Sequence, residues 1–449
     1  MSKKKWVLAV LFVALALFCY KRWDVWFGNP PEPGYDIQHH PARLLLTVGP
    51  SESTRYVSWQ CDSVRQPGWL DLCDTLGHDT LVYETMSVPF RSRAGIAAYF
   101  SVLLDSLKAD SEYRYRIRVG QDTTDWHCFH MPPASNDFSF LYFGDVQDEV
   151  DDNAFDSLLP NIMAHHADAS FLLFGGDLIE RPMDKYWEKV FASLSSYASS
   201  YPIVSVPGNH EYLKGVTRKL EDRFPLVFPY YDLEATDDNA LFSFKQGDAR
   251  FFLLDSNKDF WRLWSQRMWL EKELSACAEK WKIVVLHHPI RSIKSSMNNW
   301  VVKQFFDDLV CEKGVDLVLQ GHEHGYARFN VDTTSDKGMA EPLRLVSYCS
   351  RKDYMLKFHG DVAKWGTDSR YFQRVSFSGD TLSLSTYDAG LQLYDRVKIV
   401  KRGDSRHLID EGADIPERIR VSDWFRANKR AKRVKEFEEN IEKWRNSKR

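Results

Sequence analysis

Nowhere among the 449 residues do two cysteines stand in Cys-x-x-Cys spacing, so no zinc ribbon is encoded. An excess of basic charge is also missing: 59 Lys and Arg against 63 Asp and Glu leave a formal net charge of -4 and a pI near 6.4. Such a chain lacks the field that draws a protein to nucleic acid, and no nucleic-acid partner is expected. No Asn-x-Ser/Thr acceptor occurs, which is unusual for a secretory eukaryotic chain and points to a bacterial envelope. No apolar run reaches the ~20 residues of a comfortable membrane span. Cysteines total seven. Apart from Cys19, they are Cys61, Cys73, Cys128, Cys277, Cys311 and Cys349, an even set that permits disulfides in an exported chain but reads mostly as buried thiols.

What is present begins with Lys3, Lys4 and Lys5 before an apolar run from Trp6 to Tyr20, the order of an export signal. Lys21 and Arg22 follow directly, the small-x-small pair Ala14 and Ala16 lies inside the run, and Trp23, Trp26 and Phe27 suit a membrane interface. Residues 1–28 are therefore expected as an uncleaved anchor, with a cleaved signal or a buried helix as alternatives. Anchor or signal, the remainder lies outside the cytoplasm, held on the periplasmic face of a membrane or secreted.

Residues 29–41, "NPPEPGYDIQHHP", read as a linker. From 42 to 131, short strand-like stretches such as "TRYVSWQC" and "EYRYRIRVG" alternate with turn residues and predict a β-sandwich. From 137 to 402, apolar runs alternate with helical stretches, as in a sheet buried on both faces. Residues 403–449 are expected as a charged helical tail, with Trp424, Ala427, Ala431, Val434, Ile441 and Trp444 at helical spacing. That stripe is expected to pack on the protein's own surface, with a membrane or partner as the alternative.

The α/β region repeats one device. "FLYFGDVQD" ends its strand in Asp145, "FLLFGGD" in Asp177, "IVSVPGNHE" in Asn209 and His210, "IVVLHHP" in His287 and His288, and "VDLVLQGHEH" in His322 and His324. In an open α/β sheet the carboxyl ends of parallel strands converge on one edge, where sites form. Residues i and i+2 of a strand share a face, so both histidines of "HEH" can reach that edge. Two carboxylates, an amide oxygen and three imidazoles suit Mn, Fe or Zn, and the set is too large for one ion and about right for two.

In order, "GDVQD", "GGD", "GNHE", "HHP" and "GHEHGYAR" resemble the five blocks of the calcineurin-like metallophosphoesterases. The resemblance covers Ala42 to Lys401 and is closest to the purple acid phosphatases, whose catalytic domain follows a fibronectin type III-like sandwich. It implies an all-β sandwich followed by an α/β domain layered α/β/β/α. It also implies Asp145, Asp177 and His324 around one metal and Asn209, His287 and His322 around the other, with Asp177 bridging and His210 as proton donor. The implied reaction is hydrolysis of a phosphate ester, a monoester before a diester, by metal-activated hydroxide. A non-catalytic envelope binding or scaffold protein is the competing class.

The chain departs from the resemblance in three places. Glu180 stands where the purple enzymes carry a tyrosine, so a ferric-tyrosinate site is not expected. Gln147 stands where related esterases often place a histidine, and it either ligates weakly or holds a water. No histidine occurs between Pro289 and Gly321, which leaves more of the catalysis to His210. Tyr326 and Arg328 are expected near substrate or ligands, and Arg181, Arg291 and Arg351 as possible phosphate contacts. Glu211 and Glu323 are candidate partners of the histidines, and His288 reads as structural.

Overall fold

The computed structural model describes residues 3–62, 66–74, 80–230, 241–294, 299–331, 341–403 and 405–448. Met1 and Ser2 of the N-terminal segment lie outside them. The apolar run forms α1 (Lys3–Phe27), and its basic and aromatic flanks extend it to 25 residues. At 1.5 Å per residue that is ~37 Å, and none of its apolar window is buried in the protein. By length and composition it can cross a membrane. The segment 29–41 is no free spacer. Asn29 donates to the Lys214 carbonyl and accepts from the Lys214 N–H, each at 2.9 Å, and Glu32 accepts from the Asp184 N–H.

The sandwich is built from β1 (Ala42–Val48), β2 (Arg55–Cys61), β3 (Pro67–Asp74), β4 (Thr80–Met86), β5 (Val88–Arg91), β6 (Ile96–Leu104), β7 (Ser111–Val119), β8 (Asp122–Thr123) and β9 (His127–Met131). One sheet runs β1-β2-β6-β5 and the other β4-β3-β7-β8, with β9 also on β7. In β7, Tyr113, Tyr115, Ile117 and Val119 are buried, and the arginines between them point away from the core, as period-2 alternation requires. Trp59 of β2 stacks on Phe100 of β6 at 5.2 Å. The Tyr113 hydroxyl accepts from the Lys108 N–H at 2.9 Å, the tyrosine corner of immunoglobulin-like sandwiches.

The α/β region follows as β10 (Phe138–Phe143), α2 (Ala154–His165), β11 (Leu172–Phe174), α3 (Asp184–Leu194), α4 (Tyr197–Ser200), β12 (Ile203–Ser205), β13 (Tyr212–Leu213), β14 (Lys219–Leu220), α5 (Arg223–Val227), β15 (Phe242–Gln246), β16 (Ala249–Leu254), α6 (Phe260–Ala276), β17 (Trp281–Leu286), α7 (Trp300–Glu312), β18 (Leu317–Gln320), β19 (Tyr326–Phe329), β20 (Leu343–Val346), β21 (Val362–Gly366), β22 (Tyr371–Ser378), β23 (Thr381–Asp388), β24 (Leu393–Arg402) and β25 (Ser405–Asp410). Two seven-stranded sheets form, β12-β11-β10-β22-β23-β24-β25 and β15-β16-β17-β18-β20-β19-β21. They meet face to face, with Phe140 of one edge-on to Phe251 of the other at 5.3 Å. The buried stripes of α2 and α3 cover the first sheet and those of α6 and α7 the second, the expected α/β/β/α layering. Strands β10, β11 and β12 are mutually parallel, as are β16, β17, β18 and β20, so their carboxyl ends share one edge.

The sandwich packs directly on this body: Leu45, Val48, Phe90 and Tyr99 belong to the hydrophobic core cluster of the α/β region. Buried Arg43 spans the junction to Asp184 at 2.8 Å. After β24 the chain differs from a wholly helical tail. "SRHLID" forms β25 and pairs with β24 because its alternating pattern extends the sheet, so strand continues to Asp410. Then α8 (Asp423–Asn428) and α9 (Ala431–Ser447) cover the outer face of β19 and β21 through Phe425, Phe437 and Ile441. Trp424, Val434 and Trp444 pack partly against the same cluster, whereas Ala427 and Ala431 are exposed, since the break between the two helices interrupts a single stripe. All seven cysteines are free, with Cys61, Cys73 and Cys349 buried and Cys128 exposed, so fewer are buried than expected.

Candidate metal centre

Five strands deliver the candidate ligands to the shared edge. Asp145 and Gln147 follow β10, Asp177 follows β11, Asn209 and His210 follow β12, His287 follows β17, and His322 and His324 follow β18. Each strand is apolar and buried, which fixes its end against the neighbouring strand ends. Asp145, Asp177, His322 and His324 all adopt positive φ, at 30°, 52°, 73° and 42°. Left-handed backbone at a residue with a Cβ costs free energy, and such residues gather at functional sites. Gly208 has no room for a side chain, because a Cβ there would overlap the Asp177 carboxylate.

Asp145, Asp177 and His324 each present a ligand atom within 4.8 Å of the others, and so do Asp177, His287 and His322. Asp177 is common to both groups. His287 directs Nδ1 at the Gly175 carbonyl (2.9 Å), which leaves Nε2 facing Asp177 Oδ2 (3.3 Å), Asn209 Oδ1 (3.3 Å) and His322 Nδ1 (3.2 Å). His324 is held at Nδ1 by the Lys352 carbonyl and Ser350 Oγ, both at 2.9 Å, so its Nε2 turns inward to Gln147 at 3.3 Å. The His322 N–H donates to Asp145 Oδ2 at 2.6 Å.

This charge arrangement fits cations. Burial pushes the Asp145 carboxyl well above the usual carboxylate range. Burial opposes charge on Asp177 and His287 as well, yet they stabilise each other: Asp177 is held well below its ordinary value, and His287 is pushed up to about 10. Burial lowers His324 to about 3. Asp145 Oδ1 and Gln147 Oε1 are buried without a hydrogen-bond partner. Bare acceptor oxygens beside the His322 and His324 imidazoles, which burial keeps neutral, are a donor set that divalent Mn, Fe or Zn satisfies.

His210 stands at the rim. Its N–H donates to Asp177 Oδ1 (2.9 Å), Nδ1 lies 2.5 Å from the Glu180 carbonyl, and Nε2 lies 4.0 Å from Asp177 Oδ2, with the side chain 25% exposed. Glu180 lies outside both ligand groups, and its carboxylate pairs with Lys352.

Other expected residues are elsewhere. Tyr326 and Arg328 turn into the space between the sheets, donating to Asp395 at 2.7 Å each, and Arg328 also reaches Asp410 at 2.7 Å. Both bond to Asp395 rather than to a candidate ligand, because β19 is a new strand antiparallel to β20 and Tyr326 of that strand packs in the intersheet core. Arg291 is tied to Asp307 and Glu341, Arg351 pairs with Asp152, and Arg181 is exposed. Glu211 orients backbone rather than a histidine, accepting from the N–H groups of Asp177, Leu178, Ile179 and Gly208. Glu323 likewise ties down Ser292, Ile293 and Lys294. His288 bonds Ser256 at 3.0 Å, and burial lowers it to about 3, in keeping with a structural role. Ser350, Lys352 and Tyr354 border the site and escaped the sequence reading. The signal was there: they follow β20, which runs parallel to β18 and ends at the same edge.

Comparison with known proteins agrees with this geometry. Residues 123–326 match the calcineurin-like phosphoesterase family, a span that holds every candidate ligand. A phosphoenolpyruvate phosphatase of Allium cepa is 26% identical over 244 residues, covering 50% of this chain and 49% of that protein. Purple acid phosphatase 18 of Arabidopsis thaliana is 25% identical over 238 residues, covering 50% of this chain and 52% of that protein. The chain thus spans about half the length of these relatives. The structure of purple acid phosphatase PPD1 from yellow lupin, Lupinus luteus, aligns with a TM-score of 0.66 at 17% identity, covering 81% of this chain and 75% of that one.

Proposed function

We propose, for a chain that carries a calcineurin-like metallophosphoesterase domain, that it hydrolyses phosphate esters outside the cytoplasm with two metal ions, and that monoesters are its better substrates. The observation that carries this reading is the pair of ligand groups sharing Asp177 at the carboxyl edge of two sheets. In it, Asp145, Asp177 and His324 would hold one ion, and Asn209, His287 and His322, with Asp177 shared, would hold the other. Two such ions, when bound, activate water and withdraw charge from a phosphoryl group. The chain's own residues do the rest. The Gly175 and Lys352 carbonyls fix the histidine rings, and Glu211 locks the loop that carries Asp177. His210, with Nδ1 engaged by the Glu180 carbonyl, offers Nε2 to protonate the departing oxygen. The preference for monoesters is supported by relatives named as phosphatases. The extracytoplasmic placement is supported by α1, read as an anchor with Trp23, Trp26 and Phe27 at the interface.

Glu180, paired with Lys352, supplies no tyrosinate, so the protein is expected to be colourless and active with divalent metal. The test is a panel of monoester, diester and pyrophosphate substrates offered to the metal-reconstituted chain, with its visible spectrum recorded. Monoester hydrolysis without a visible charge-transfer band is expected. A metal-loaded protein that hydrolyses none of the panel sinks the reading.

A further inference from the structure

A groove of about 790 Å³ is lined by Arg218, Lys219, Lys258 and Arg262 among others. Its lining holds four bases and two acids, Asp222 and Asp259. Asn257, also in the lining, donates to the Pro207 carbonyl at 2.9 Å and so joins the groove to the loop that carries Asn209.

Large apolar side chains are exposed at this groove and on α6, whose first turn helps line it. Val216 is 76% exposed, and so is Trp261 at the start of α6. Phe260 and Trp264 flank Trp261 and lean on Phe305 of α7 at 4.9 and 6.1 Å, with Trp300 also exposed. Exposed aromatic residues beside basic ones are the composition of a membrane-interface surface. Phe260, Trp261 and Trp264 form one exposed aromatic cluster around Phe305, and such a cluster on a surface facing water needs an explanation.

The third observation fixes where this face points. α1 ends at Phe27, and two residues later Asn29 is bonded in both directions to the backbone of Lys214. Lys214 is two residues from Val216, a chain reach of roughly 7 Å. The end of the apolar helix and the groove rim therefore occupy one end of the molecule.

We infer that the face formed by Val216, Phe260, Trp261 and Trp264 rests on the surface of the bilayer that α1 spans, with the basic groove opening against anionic lipid headgroups. This rests on the reading of α1 as a membrane anchor. Polar headgroups meet Arg218 and Lys219, and the aromatic rings lie at the depth where Trp and Phe are most stable.

Photocrosslinking of the full chain, reconstituted in vesicles of phosphatidylcholine with a minority of phosphatidylglycerol, tests the proposal. p-Benzoylphenylalanine replaces Val216 or Trp261 in turn, Phe12 of α1 as a control for the anchor, and exposed Val82 of the sandwich as a control for distance. Lipid adducts at Phe12, Val216 and Trp261 but not at Val82 are expected. Adducts at Phe12 without any at Val216 or Trp261 leave the anchor standing and overturn the docking face. The absence of adducts at Phe12 overturns the anchor reading and this proposal with it. An adduct from Trp261 to a second copy of the chain also overturns it, assigning the face to self-association.

Discussion

The cluster of Tyr326, Arg328 and Asp395 between the sheets and the cluster of Asp145, Asp177 and His287 at their edge are both buried and both charged, yet they are balanced differently. In the first, the Arg328 guanidinium sits 2.7 Å from Asp395, which raises it above its usual range, and Tyr326 donates to the same carboxylate. In the second, two carboxylates share one favourably charged imidazole, one carboxyl is forced towards neutrality, and an acceptor oxygen has no donor. A buried ion pair with its hydrogen bonds met serves the fold, whereas acceptors crowded without donors mark a place that cations complete. The motif "GHEHGYAR" runs through both, so adjacency in sequence does not decide which cluster a residue serves.

Substitutions in the two clusters should separate them cleanly. The largest effect is expected from Asp177→Asn, which removes the carboxylate common to both ligand groups and should abolish metal-dependent hydrolysis while the protein stays folded; assay and circular dichroism check it together. His210→Ala should lower turnover by about 10²–10⁴-fold with metal content unchanged, the scale of a lost general acid. Metal loss in that variant would make His210 a ligand instead. Arg328→Met, in the intersheet cluster, should destabilise by about 3–5 kcal/mol in a denaturant titration because it strands the Asp395 charge, and the folded fraction should keep its metal and activity. Adding Asp395→Leu should restore much of that stability. The smallest effect is reserved for Asp145→Asn in metal-free protein. A raised folded-state value means the charged carboxylate costs stability at neutral pH, so the apo variant should melt no lower than apo wild type. A clear loss of stability there would erase the distinction between the clusters.

Much of the edge was legible because each ligand follows an apolar strand, and buried parallel strands must end together. The α/β/β/α body was legible in those apolar runs alternating with helical stretches, and the β-sandwich in period-2 alternation, which in β7 survives without knowledge of neighbours. Legibility failed where the backbone leaves the strand. The face-sharing argument for His322 and His324 assumes continuous extension, but both adopt left-handed φ, and Tyr326 and Arg328, which the family motif placed beside them, lie on β19, which begins afresh. Lys352 and Tyr354 were missed because, although the apolar run before them is legible, the pairing of β20 with β18 that carries them to the edge is a long-range fact. The tail's stripe was misplaced at Ala427 and Ala431, where one expected helix is two.

The most direct test of the central claim is anomalous scattering from a crystal of the full chain reconstituted with manganese. Two peaks about 3.5–4 Å apart are expected, with Asp177 between them, His324 and Asp145 on one, and His287, His322 and Asn209 on the other. A single peak, or a pair that Asp177 does not bridge, would contradict the account.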